Sequence, residues 1–303
     1  MRPQANWQFL LLSQITRGTF MLHPMQALGM GDQINQLING DQSLNRLPER
    51  AEFNIRAMSP SAAIGSYESS YDGVAKDSTA IFSIHGTMLK YGTWCDYGTM
   101  EIANFVREAV YHKNIGSIVY DFDSGGGSVS AIAPLLQVAE EAKALGKPIV
   151  SSVDLLASAA LYTAAGSGQI IASNKISSEV GSIGVMLSFT DVIPYYEKEG
   201  YKFHEIYSSH SNNKNEAFQL ALKGDYELIR KEMLDPLALE FQNHIKSSRA
   251  GKLDESVPGI LNGKTFYATD ALKHGLIDDI GPLDMAIERA QQLAEAIKFS
   301  NNN

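Results

Sequence analysis

Cysteine is nearly absent: 303 residues contain one, Cys95, in the stretch TWCDYG. A single cysteine forbids an intrachain disulfide, and nothing in it points to an oxidising compartment. No histidine stands near it in the sequence to make a Cys/His pair, so an ordinary thiol is the plain reading. Long apolar runs are missing too. No segment reaches the roughly 18 consecutive apolar residues of a membrane span. The opening MRPQANWQFLLLSQITRG has an apolar run too brief for a secretory leader, and Arg17 follows it without a small-residue cleavage site. These features predict a soluble, cytoplasmic chain. Basic charge is also in deficit, with 25 Lys and Arg against 34 Asp and Glu and a net charge of −9. That balance argues against a nucleic-acid grip, which needs clustered cations. The seven histidines are scattered, with no H-E-x-x-H and no pair at metal-ligand spacing. Neither a metal nor a cofactor is expected.

What is present is an ordinary globular mix, 44% hydrophobic and 19% charged, long enough for a substantial core. Residues 1–58 are helix-prone and carry no chemical motif. The stretch 59–78 is rich in serine and glycine and reads as a linker or exposed loop. From 79 onward the pattern changes. Near-continuous apolar runs at 79–86, 116–124, 147–154 and 169–173 alternate with helical spacing at 99–113, 128–146 and 158–168. That alternation predicts an α/β domain with a buried parallel sheet. KFHEIYSS (202–209) reads as a further strand. A long helical run follows over 218–251, interrupted at Pro236, then a C-terminal amphipathic helix and a polar tail at 298–303.

Several familiar motifs fail. NGKTF (262–266) resembles the end of a phosphate-binding loop, but Pro258 stands where its first glycine is required. No G-x-S-x-G elbow occurs. His85 follows a strand in SIHGTM and is a turn histidine by default, with a general-base role as its less ordinary use. Three features survive. In DFDSGGGSVS (121–130) a strand runs through three glycines into a helix, so backbone N–H groups can face a phosphate or an oxyanion. Ser158 opens a helix in LLASAALYTAAGSG, either as its N-cap or as a nucleophile beside the Ala159 N–H. Lys214 sits in the polar stretch SSHSNNKNEAF. An ordinary lysine is only about 0.04% neutral at pH 7, so it serves as a base only where desolvation favours the neutral amine. The residues alone do not single out Lys214 among the lysines.

The order SIHG, DSGGGSV, ASAALYTAAGS, VGSIGVM, a lysine loop and NGKTFYATDALKHGLIDDIG resembles the signal peptide peptidase A family of Ser/Lys peptidases, and within it the phage prohead proteases. The resemblance covers 79–297, which it marks as the peptidase domain, and implies a Clp protease/crotonase-like fold of repeated β-β-α units. It implies Ser158 as nucleophile, Lys214 as general base with Lys223 as fallback, and an oxyanion hole from Gly126 and Ala159. Ser182 would orient the lysine. Gly125 stands where the family has proline, and Ala159 and Ala160 replace its usual glycines. The implied function is a serine endopeptidase that processes scaffold and capsid proteins during phage head maturation. A homo-oligomer with sites shared between subunits is the implied assembly. A cellular signal-peptide peptidase, a non-catalytic assembly protein and a crotonase-like acyl-CoA enzyme are the alternatives.

Overall fold

The structure, a computed structural model, describes residues 10, 19–22, 51–63, 65–93, 96–189, 191 and 193–301. Cys95 and most of the helix-prone segment 1–58 lie outside them. The described part forms two sheets. The smaller joins β1 (Thr19–Leu22), β5 (Gly126–Ser128) and β9 (Met186–Leu187), with β1 in the middle and antiparallel to both neighbours. In the larger, β3 (Ser78–His85) lies parallel to β4 (Ile115–Ser124) and β4 to β6 (Ile149–Ala157). Strand β6 is long enough to pair in parallel with two partners in succession, β7 (Gly168–Ala172) and then β8 (Glu179–Gly181). Antiparallel strands β2 (Arg56–Met58) and β10 (Thr265–Tyr267) flank β3 and β8, and β11 (Asp279–Ile280) runs parallel to β7.

The central strands are apolar almost throughout because both faces of the sheet are covered. Ala80, Phe82 and Ile84 of β3, with Ile118, Tyr120 and Phe122 of β4, face helices α1 (Thr99–Tyr111), α2 (Ile132–Ala144) and α3 (Ala159–Ser167). The alternate residues Ile81, Val119 and Val150 face Ala286, Ile287 and Ala290 of the last helix (Leu283–Asn301). Each such buried aliphatic or aromatic side chain contributes about 1.5–3 kcal/mol relative to exposure. The closing segment is pinned by charge. Arg249, 2% exposed, makes two hydrogen bonds to Asp278 at 2.7 and 3.1 Å, and Asp278 also accepts the Ile170 N–H of β7 at 2.8 Å. Among the described residues no helix is long and apolar enough to cross a membrane.

Two strands, β1 and β2, fall in the segment read as helix-prone, and three further expected elements depart from the reading. The predicted helix 128–146 begins instead as β5 and a short 3-10 turn, because Gly126–Ser128 is drawn into pairing with β1 and with Met88. The predicted strand 202–209 is not a strand. It is exposed apart from the partly covered Tyr207, and among the described residues it pairs with no strand. The long helical run is broken at Gly224, whose φ of 86° takes the chain out of helix α5 (Glu216–Leu222) after the short α4 (Ile193–Lys198). It resumes at Glu227, passes through a π-helical turn over Arg230–Leu234, and continues as α6 (Asp235–Ser248) with Pro236 in its first turn. A proline has no N–H for the carbonyl four residues back, and the wide π turn falls where that bond is missing. Helices α7 (Ala268–Lys273) and α8 (Leu283–Asn301) complete the chain, and α8 takes in Lys298–Asn301 of the polar tail.

Candidate active site

Strand β6 ends at Ala157 and α3 begins at Ala159, so Ser158 alone makes the turn between them. It does so at φ 56° and ψ −119°. For a residue with a Cβ this backbone costs about 1–3 kcal/mol and persists only where its surroundings hold it. Here the Ser158 N–H donates to the Gly181 carbonyl at 2.9 Å, and the Ser158 carbonyl accepts the Tyr162 N–H at 3.0 Å. Ala157, Ala159 and Ala160 are wholly buried, and their small side chains let β6, β8 and the start of α3 close around the turn. Ser158 occupies the N-cap position, yet its hydroxyl makes no capping bond. Its Oγ is buried and has no hydrogen-bond partner among the described residues. Leaving a buried hydroxyl unpaired costs about 1–3 kcal/mol. Backbone strain and an unpartnered hydroxyl thus coincide on this one residue.

The glycine turn lies alongside, with β5 packed on α3. Gly126 has a φ of 96°, and its N–H donates to Ser124 Oγ at 3.2 Å. Met88 donates to the Gly126 carbonyl at 2.8 Å and accepts from the Ser128 N–H at 2.9 Å. Those two bonds turn the N–H and carbonyl of the intervening Gly127 to the opposite edge of β5. A Cβ on Gly127 would overlap the Met88 carbonyl. The N–H of Gly126, the expected oxyanion donor, is thus engaged by Ser124, while that of Gly127 is turned towards β1.

Ser182 follows Gly181 at φ 57°, is 8% exposed, and donates its N–H to the Lys264 carbonyl at 2.9 Å. It thus adjoins the carbonyl that anchors Ser158. Lys214 is not part of this assembly. It is exposed in a turn, its own N–H on the Ser211 carbonyl at 3.1 Å, just before α5. Since Ser158 Oγ has no partner, no hydrogen bond joins Lys214 to it within one chain. Lys223, at the C-terminal end of α5, is exposed as well. The same region exposes Phe189, Tyr195, Tyr201, Phe203 and Ile206, the last at 94%. A cavity of about 500 Å3 opens there, lined by Leu187, Phe189, Leu222 and Tyr226 among others.

His85 stands at the end of β3 with Nε2 3.8 Å from Asp121, which also accepts from Arg56 at 2.9 Å. The neighbouring Asp121 carboxylate favours the protonated ring and, only partly offset by burial, raises its pKa. Since Ser158 Oγ has no partner, no hydrogen bond joins His85 to it within one chain. Among the described residues no cluster of His, Cys, Asp and Glu is arranged to hold a metal ion.

Comparison with known proteins matches residues 141–297 to the model of peptidase family S49. The chain is 23% identical over 259 residues to protease 4 of Haemophilus influenzae, covering 85% of this chain and 38% of that protein. It is 28% identical over 194 residues to a putative protease of Methanocaldococcus jannaschii, covering 63% and 60%. The chain thus spans less than two thirds of the length of these relatives. Solved structures of similar fold include a membrane-bound stomatin-specific protease, 1510-N, at 15% identity and TM-score 0.46, covering 72% of this chain and 86% of that one. An enoyl-CoA hydratase from Polaromonas aligns at 13% identity and TM-score 0.40, covering 74% and 79%.

Proposed function

The chain belongs to peptidase family S49, a family of serine proteases, and on that premise we propose that it is an endopeptidase in which Ser158 is the nucleophile and Lys214 the general base. The observation that carries the reading is the Ser158 hydroxyl, buried and unpartnered on a strained strand-to-helix turn. A nucleophile needs a lone pair that no resident donor occupies, and a hydroxyl kept only for capping would be bonded.

Ser158 Oγ attacks the scissile carbonyl while its proton passes to Lys214. The Ala159 N–H, at the first position of α3 where no intrahelical acceptor exists, stabilises the developing oxyanion. The glycine turn supplies the second donor through Gly127 in place of Gly126. Lys214 returns the proton to the leaving amine, and water hydrolyses the acyl-enzyme. Ser182 orients the amine.

Lys214 comes from a neighbouring copy. What supports this is the absence of any bond to Ser158 within one chain, together with the exposed aromatic residues of its own region, a surface that association would bury. Enclosing an amine between subunits favours its neutral form, which a general base requires. We take 79–297 as the peptidase domain, attached to the N-terminal region 1–58 through 59–78, working in the host cytoplasm on scaffold and capsid proteins of an assembling phage head. The order of its motifs supports that substrate class.

The test is cleavage of casein by the wild type, Ser158→Ala and Lys214→Ala, each alone and with the two variants mixed. Each variant alone should lose at least about 10^3-fold in kcat/KM, and mixing should restore part of the rate. Full activity in Lys214→Ala would remove that lysine from the mechanism.

A further inference from the structure

We propose that Thr19–Leu22 lies in the peptide-binding groove of its own chain as the enzyme's first substrate, and that Ser158 cuts the Met21–Leu22 bond. The inference rests on the peptidase reading above.

Strand β1 is held between β5 and β9 by backbone pairing on both edges. Its register sets Phe20 opposite Ser128, Met21 opposite Gly127 and Leu22 opposite Gly126 on one side. On the other, Thr19 faces Leu187 and Phe20 faces Met186. Strands β5 and β9 have three and two residues. With β1 removed they are two short open edges with a strand-wide gap between them, the form of a groove that takes an extended peptide by strand addition. The groove lies at the catalytic turn, because β5 is the glycine turn itself and both β1 and β5 pack on α3, which Ser158 opens.

The register selects the bond. Met88 occupies the Gly126 carbonyl and the Ser128 N–H, so the Gly127 N–H and carbonyl face β1. Met21 and Gly127 are therefore the hydrogen-bonded pair of this antiparallel ladder, and the Met21 carbonyl is the one aimed at the Gly127 N–H. Phe20, with its polar groups on the opposite edge, faces Met186 and holds the strand from the other side. A carbonyl drawn to the oxyanion donor is the one that Ser158 attacks.

The chemistry consumes one water. Ser158 Oγ adds to the Met21 carbonyl carbon and its proton moves to Lys214. The Met21–Leu22 C–N bond breaks as Lys214 protonates the Leu22 nitrogen. Water then hydrolyses the Ser158 ester, leaving a carboxylate on Met21 and restoring the serine. Until that cut, the groove is filled and other substrates are excluded.

The full chain is incubated as wild type, Ser158→Ala and Leu22→Pro, with intact mass and casein cleavage followed in parallel. Proline at 22 removes the amide proton and crowds the bond to be cut. The wild type should lose residues 1–21 and expose Leu22 as its new N terminus, with the casein rate rising in step after a lag. Ser158→Ala and Leu22→Pro should keep their full mass. A wild type that degrades casein from the start while its N-terminal region stays whole, or is cut at another bond, overturns the proposal and leaves the peptidase reading standing. Trimming of Ser158→Ala at the same bond also overturns it. A wild type that cuts neither casein nor itself removes both readings.

Discussion

The N–H of Ser158 is bound by the carbonyl of Gly181 at 2.9 Å. Ala157 and Gly181 are paired across β6 and β8, so the turn that carries Ser158 hangs from the sheet at one defined point. On the next residue, Ser182 is tied to the Lys264 carbonyl. The candidate nucleophile is thus positioned by a chain of backbone bonds running from β6 through β8 to the segment before β10.

That chain predicts the outcome of Gly181→Ala. Gly181 has a φ of 144°, and an added Cβ would collide with the Lys264 carbonyl and lie 2.9 Å from Thr265 Cα. Urea unfolding should show a loss of about 1–3 kcal/mol. Casein cleavage should fall by at least about tenfold, because a displaced Gly181 carbonyl no longer fixes the Ser158 backbone. An unchanged unfolding midpoint would mean that β8 shifts freely.

Ser158→Gly should give a chain that is more stable and inactive. The change removes a buried hydroxyl without a partner and relieves a positive φ, each about 1–3 kcal/mol. The entropic cost of glycine, about 0.5–1 kcal/mol, is smaller. The expected net gain of at least about 1 kcal/mol should raise Tm by about 2 °C or more, read by differential scanning calorimetry. A lowered Tm would show that Ser158 serves stability and not reaction.

Asp278 governs acid stability. Burial alone would raise its pKa, but hydrogen bonds from Arg249, Lys252 and the Ile170 N–H prevail and hold it below the ordinary carboxylate value. A depressed folded pKa gives stability that is fully present above the unfolded value of about 4 and is lost as pH falls from there through the folded one. Asp278→Asn should remove that acid-dependent part. It should also cost about 3–5 kcal/mol at pH 7, since it strands the Arg249 guanidinium, whose side chain is 3% exposed. Urea midpoints for both chains between pH 3 and 7 give the comparison.

His85→Ala should cleave casein within about twofold of the wild type. The raised pKa of His85 and its pairing with Asp121 make it part of a polar cluster with Arg56 and Ser83. A loss of a hundredfold or more would return His85 to the list of bases.

The alternation of apolar strands and helices from residue 79 was legible because a parallel sheet buried on both faces needs strands that are apolar throughout. Ser158 was legible as a residue at a strand-to-helix junction, but its two possible roles were not separable there. Capping and attack both favour serine at that position, and only the structure shows that the Oγ makes no capping bond. The region 200–224 was the least legible. The spacing of KFHEIYSS suits a strand, yet a strand exists only where a sheet edge accepts it, and among the described residues none pairs with it. Lys214 lies just beyond, and its residues gave no local sign of what it meets.

The sequence by itself determined the α/β pattern, the lack of an intrachain disulfide among these residues and the positions of the serine and the glycine turn. Local composition and periodicity are enough for those. Tertiary structure alone decided which way the Gly127 N–H points, which carbonyl anchors Ser158 and which strand lies between β5 and β9. Hydrogen-bond direction along a strand is set by the partner, and the partners here, Met88, Gly181 and Thr19–Leu22, are distant in the chain from the residues they orient.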